Sequence, residues 1–276
     1  MSAKRGTGPD MLACNDNSGR NMNNSMSNTH KSSRRSLISR LLFPPYCVSC
    51  GNLLPYDATG GEAVLCNSCR GQFERAKLDI CPVCGRPMLD CRCVAPVLAD
   101  VGVGCVIRLA GYDPSMANGC INRIVNCNKT QCNRDCFDFL AAQLTPALRH
   151  EINDGALITF CPRSRRARRE NGFDQAEQLA KCLAARMGSE FCRPLTRRRF
   201  TASKSQKTLG YSARVWNAGH AVVFDGSVDV SGRTVVLVDD VITTGATMSA
   251  CASLLIGAGA AEVIGVCVAA VCRTAT

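Results

Sequence analysis

A chain of 276 residues, 46% hydrophobic and 20% charged, has room for one full-sized core and a small extra module. That excludes a chain disordered throughout, a collagen-like chain and a coiled coil. Twenty cysteines and a net charge of +11 are the unusual figures. The charge is concentrated: residues 161–214 hold fourteen Lys or Arg against four acids, and residues 1–40 hold seven against two. A basic block in an otherwise acidic body implies an anionic partner there, either a phosphate-rich small molecule or nucleic acid.

Residues 1–36, rich in Asn, Ser and Met, read as a disordered tail. Up to Asn28 the tail has no apolar stretch of the kind a secretory signal needs. The longest weakly charged run, Ala250 to Cys272, is broken by Gly257, Gly259 and Glu262. It reads as a helix turning into a strand, so no membrane insertion is expected. The expectation is a soluble, cytoplasmic protein, and in that reducing compartment clustered cysteines point to metal before disulfides.

A cysteine-rich module spans residues 37–95. Leu37, Ile38, Leu41 and Leu42 suggest a short lead-in helix stopped by Pro44 and Pro45. Cys47, Cys50, Cys66 and Cys69 then follow the C-x2-C-x15-C-x2-C spacing of a four-thiolate zinc site. A second set is Cys81, Cys84, Cys91 and Cys93, with Gly51 and Gly85 just after the first knuckle of each set. Four thiolates close the zinc sphere, so such a site holds a fold together and does no chemistry. An iron–sulfur cluster also takes four thiolates; the knuckle glycines and two-pair layout favour zinc. Sequential and cross-braced pairings of the eight are both open at this stage. The remaining cysteines, among them Cys105, Cys127, Cys161, Cys251 and Cys267, read as small core residues.

Residues 100–276 read as an α/β domain. Phe137, Leu140, Ala141, Leu144 and Leu148 form one stripe of a helix over 134–150, and 156–161 is a strand by length. Ala176, Leu179, Ala180, Leu183 and Ala184 mark a helix over 174–187. A strand over 234–238, a helix over 245–256 and a strand over 263–271 complete the pattern. Strands alternating with helices imply a doubly wound parallel sheet with its ligand at the carboxyl ends of the strands.

At one such end stand Asp239 and Asp240, followed by Thr243, Thr244, Gly245, Ala246 and Thr247 at a helix start. Backbone N–H groups there can converge on a phosphate, helped by the helix dipole and threonine hydroxyls. The carboxylates suit ribose hydroxyls, which donate. A valine at Gly245 is expected to block the phosphate without touching the core. Five arginines follow the 156–161 strand; Arg163 and Arg165 are candidates for a pyrophosphate, and Arg168 and Arg169 for a flap closing over it. The catalytic residues are unknown: the loop offers Thr243 where a base would stand, and His30, His150 and His220 are scattered.

The stretch from Thr234 to Thr247 resembles the phosphoribosyl-pyrophosphate (PRPP) loop of type I phosphoribosyltransferases. The whole of residues 37–272 resembles the ComF family of competence-associated, phosphoribosyltransferase-like proteins. Further marks are Leu42-Phe-Pro-Pro-Tyr-Cys47, Cys161-Pro-Arg-Ser-Arg-Arg, Gly172-Phe-Asp-Gln175, and Arg197, Thr201, Gln206, Leu209, Arg214 and Asn217. Asn171 and Asp174 depart from the family's Arg-Gly-Phe-Asn-Gln pattern, and Asn126 stands where a lysine is common; these bear on catalysis more than on binding. The resemblance implies PRPP or ribose 5-phosphate as ligand, Mg²⁺ arriving with PRPP, and structural zinc. It leaves three readings: a phosphoribosyltransferase of nucleotide or nucleoside metabolism linked to DNA uptake, a non-catalytic PRPP-binding protein, or a factor handling single-stranded DNA in competence.

Overall fold

Thr234–Val238 (β6) and Glu262–Ala270 (β8) are almost wholly buried, as continuous apolar runs are when both faces of a parallel sheet are covered, and Val103–Gly111 (β1) is buried from Val106 to Ala110. The structure, a computed structural model, describes residues 44–55, 57–58, 64–116, 118–197 and 222–272, with the backbone alone at 165–167. The tail, the lead-in around Leu37 to Leu42, and Arg198, Arg199, Thr201, Gln206, Leu209, Arg214 and Asn217 lie outside these residues.

The strand order is β1-β8-β6-β2-β3, with β2 at Leu157–Phe160 and β3 at Glu190–Phe191, and every pairing is parallel. Val241–Ile242 (β7) continues the line of β6 along β8. Leu195–Arg197 (β4) and Val222–Phe224 (β5) form a separate antiparallel pair. The two-residue period of a strand divides the sheet's side chains between two cores. Val236, Val238, Ile264 and Val266 meet the helices Arg134–Arg149 and Gln175–Met187. Val235, Leu237 and Val263 meet the helix Ala246–Gly257. The helices are numbered in chain order: α1 is Asn67–Leu78, α2 Pro96–Ala99, α3 Cys120–Thr130, α4 Arg134–Arg149, α5 Arg165–Asn171, α6 Gln175–Met187 and α7 Ala246–Gly257. No helix among the described residues is long and apolar enough to cross a membrane.

The first half of the cysteine-rich module does not have a core of its own. Cys47, Val48, Leu54, Val64, Leu65, Cys69 and Phe73 belong to the same buried cluster as Ile107, Leu140 and Ile264 of the α/β body. The separation expected from the sequence is corrected here: α1 is a 12-residue helix whose buried face, Cys69 and Phe73, packs inward, so burying it needs the body. Leu98 of α2, at the module's far end, is fully buried in the second core.

Candidate functional site

Asp239 and Asp240 interrupt the ladder between β6 and β7 without breaking its line. The amide of Asp239 donates to the Val266 carbonyl at 2.9 Å, and the amide of Val268 donates to the Asp240 carbonyl at 3.1 Å. In this break between β6 and β7 the two carboxylates part company. Asp240 Oδ2 accepts from Arg163 Nη2 at 2.7 Å, on the face of Val238. The backbone amide of Arg163 donates to Asp174 Oδ2 at 2.9 Å, which joins the ends of β2 and β6 through an acid–arginine–acid chain. Asp239 instead lines an open concavity of about 230 Å³ with Val241 and the loop from Ile242 to Met248.

Burial pushes the Asp239 carboxyl well above the ordinary range, and the negative charge of Asp240 pushes the same way. Burial also raises Asp174, against the lowering effect of Arg163, and Asp174 Oδ1 has no hydrogen-bond partner. Two strained carboxyls at one sheet edge are typical of functional sites.

The rest of the concavity is helix start. Gly245 is the N-cap of α7 with φ +79°, and Thr244 Oγ1 accepts from the Ala246 amide at 3.4 Å. Thr243 is exposed and Thr244 and Thr247 are half-buried, so hydroxyls and first-turn amides share the opening. An anion there meets donors and the positive end of the helix dipole. A Cβ on Gly245 would lie 3.0 Å from Val97 Cγ1 and 3.2 Å from Leu98 Cγ. The expectation that valine there would spare the core is therefore wrong, because that side of Gly245 faces α2. Val97 and Leu98, which brace the loop, were not singled out in the sequence; Pro96 at a helix start ahead of apolar residues was the available signal.

The candidate arginines are spread apart. Arg163 reaches the acid pair. Arg168 lies 3.7 Å from Glu177, Arg169 is exposed, and Arg165 begins α5. Burial disfavours the charged form of Glu177, but Lys181 at 2.8 Å and Arg193 outweigh it and hold its pKa down. Arg197 Nε donates to the Pro162 carbonyl at 2.9 Å.

The eight module cysteines form two groups, Cys47, Cys50, Cys66 and Cys69, then Cys81, Cys84, Cys91 and Cys93, with the sulfurs of each group within 4.8 Å of one another. The pairing is thus sequential. Burial raises Cys47 and Cys81, but backbone amides around each knuckle reverse this and leave them at about 7 and about 6. Gly51 and Gly85 follow with φ of +76° and +69°. Four soft donors at this spacing, with one acidic thiol per group, fit a closed zinc site. Of the other cysteines, Cys161, Cys251 and Cys267 are buried, and Cys105 and Cys127 are intermediate.

Comparison with known proteins agrees with this division. The double zinc ribbon domain family matches residues 38–98, and the phosphoribosyl transferase domain family matches residues 174–274. Competence protein ComFC of Bacillus subtilis is 22% identical over 230 residues, 78% of this chain and 90% of the relative. DNA utilization protein YhgH of Salmonella typhimurium is 27% identical over 243 residues, 85% of this chain and 99% of the relative. A hypoxanthine phosphoribosyltransferase from Staphylococcus aureus aligns in structure over 49% of this chain and 63% of its own, at 10% identity and a TM-score of 0.31.

Proposed function

Because this chain belongs to the ComF family, with a double zinc ribbon ahead of a phosphoribosyl transferase domain, we propose that its concavity binds PRPP or its ribose 5-phosphate part. The observation that carries the reading is one opening that holds a carboxyl, Asp239, beside a hydroxyl-bearing loop at the N-terminus of α7. The 5-phosphate sits on the loop from Thr243 to Thr247, and Asp239 accepts hydrogen bonds from ribose hydroxyls. Asp240 positions Arg163, whose guanidinium faces the pyrophosphate side; α5, with Arg165, Arg168 and Arg169, covers it. Mg²⁺ arriving with PRPP would supply further positive charge to the pyrophosphate, on the side that Arg163 faces. The protein works in the cytoplasm, in nucleotide or nucleoside metabolism linked to DNA uptake. Isothermal titration of PRPP with Mg²⁺, and of ribose 5-phosphate, tests this. Saturable heat that Asp239→Asn weakens is expected; no heat from either ligand at millimolar concentration overturns it.

A second reading has its own observation. Arg168, Lys181 and Arg193 converge on the single carboxylate Glu177, which leaves surplus positive charge beside α5. The relatives' names speak of competence and DNA utilization. Carried over to this chain, they make single-stranded DNA the alternative ligand of that surface. Such binding rests on phosphates and falls steeply with salt. Titration with an oligonucleotide at two salt concentrations distinguishes the readings.

A further inference from the structure

Arg108 lies in the middle of β1 and is only 4% exposed. Among the described residues no carboxylate forms an ion pair with it. Its guanidinium donates from Nη2 to the carbonyl of Cys93 and at 3.3 Å to that of Val106. Nη1 donates to Cys272 Sγ at 3.2 Å, and the buried Nε has no partner. Carbonyls supply dipoles and no net charge. A guanidinium cannot shed its proton, so its burial must be offset by an anion close by.

The second cysteine group supplies one. Cys93, whose carbonyl accepts from Arg108, belongs to it. Cys81, Cys91 and Met88 form a small buried cluster with Cys93 and Cys272 packed on it. Four neutral thiols would give no net charge, whereas four thiolates around Zn²⁺ carry a net charge of −2 by formal count. At the first group, Arg123 Nε donates to Ser49 Oγ at 3.2 Å, and the Arg70 amide donates to the Cys66 carbonyl at 2.8 Å.

We propose that Arg108 is the buried counter-charge of the second zinc centre and fastens that centre to β1 of the α/β sheet. The metal and the arginine then each offset a cost the other would incur alone. Removing either leaves an uncompensated charge inside the protein, so zinc loss at this centre loosens the sheet as well as the ribbon. Arg108 is a positioning residue here, since it touches a ligand's backbone and not the metal.

The test is chelator challenge of the full zinc-loaded chain, with N-ethylmaleimide alkylation read peptide by peptide to separate the two cysteine groups. Arg108→Met should release zinc from the Cys81 to Cys93 group about 10- to 100-fold faster, the range typical for lost outer-shell partners, and leave the Cys47 to Cys69 group unchanged. Arg108→Lys should stay close to the parent, because it keeps the charge. Cys272→Ser should leave both groups at parental rates. The sign of the thermal shift is a second readout: Arg108→Met should lower the melting temperature of the zinc-loaded chain and raise that of the zinc-free chain. A merely structural arginine would lower both. Parental release from Arg108→Met overturns the proposal. So does Cys272→Ser matching the Arg108→Met rates, which would make a Cys272 thiolate the counter-charge. If Arg108→Met does not fold with zinc, Arg108→Lys decides, with parental retention supporting the proposal and loss of the second zinc overturning it.

Discussion

Gly245→Ala is the smallest change that tests how the phosphate loop is held. The backbone at Gly245 has φ +79°, and left-handed geometry costs an L-residue about 1–2 kcal/mol. The added methyl would also lie 3.0 Å from Val97 Cγ1 and 3.2 Å from Leu98 Cγ. Leu98 is fully buried and has nowhere to go, so overpacking adds about 1–3 kcal/mol. The single substitution should therefore cost about 2–5 kcal/mol of stability, a large share of what a domain has. In a Val97→Ala, Leu98→Ala background both contacts disappear while the backbone cost stays. There Gly245→Ala should cost only about 1–2 kcal/mol, and the difference is the coupling between loop and α2. Urea unfolding followed by circular dichroism gives all four stabilities. An equal cost with and without the Val97 and Leu98 side chains would show that α2 does not brace the loop.

Asp239→Asn should stabilise the ligand-free protein and weaken ribose 5-phosphate binding by about 1–3 kcal/mol. The folded carboxyl has a raised pKa, so the native state holds a proton that the unfolded chain has lost. Stability then falls as pH climbs from the ordinary carboxylate range through the raised value, and melting temperatures across pH should show a flatter profile in Asp239→Asn. Metal analysis should find one or two Zn per chain, and less than half an equivalent in protein purified without chelator counts against the zinc assignment. Cys47→Ser should destabilise the body as well as the first ribbon, because Cys47 shares a core with Leu140 and Ile264; amide exchange that rises only in residues 44–70 would refute the shared core. If oligonucleotide binds, charge reversal at Arg168 and Arg193 should flatten the log-affinity against log-salt slope by about one unit per lost contact, and an unchanged slope moves the DNA site elsewhere.

What could be read from the sequence followed the physics of regular elements. The stripe of Phe137, Leu140, Ala141, Leu144 and Leu148 has a helical period, and all five residues are buried along α4. The runs that became β6 and β8 are apolar on both faces because both faces are covered. β1 escaped notice because Arg108 and Gly104 interrupt its apolar run, and the charge at Arg108 makes sense only beside cysteines in another element. The choice of Arg163 among five arginines depends on a contact to Asp240 across 77 positions, which no local pattern encodes. α2 has four residues, too few to show a period, and it lies where the sequence suggested a boundary.

The acid pair shows how strand geometry narrows a chemical guess. Two adjacent carboxylates read from a sequence look like one bidentate site for two hydroxyls. The structure separates them between Arg163 and the concavity of the loop. Asp239 shares its face with Leu237 and looks toward α7, while Asp240 shares its face with Val238 and is held by Arg163 at 2.7 Å. One carboxyl, Asp239, thereby lines the concavity of the loop. The other neutralises and orients a guanidinium that would otherwise compete for that carboxyl. The raised pKa of Asp239 comes first from its burial, and the neighbouring Asp240 carboxylate pushes the same way. Deleting the guanidinium tests this last step. Arg163→Met removes the only ion-pair partner found for Asp240 among the described residues, leaving two half-buried carboxyls to share less positive charge. The melting temperature should then drop more at neutral pH than at pH near the carboxylate range, and Asp240→Asn in the same chain should recover most of the loss. A drop of the same size at both pH values would mean that Arg163 acts through packing, and that the charges of the pair are not coupled through it.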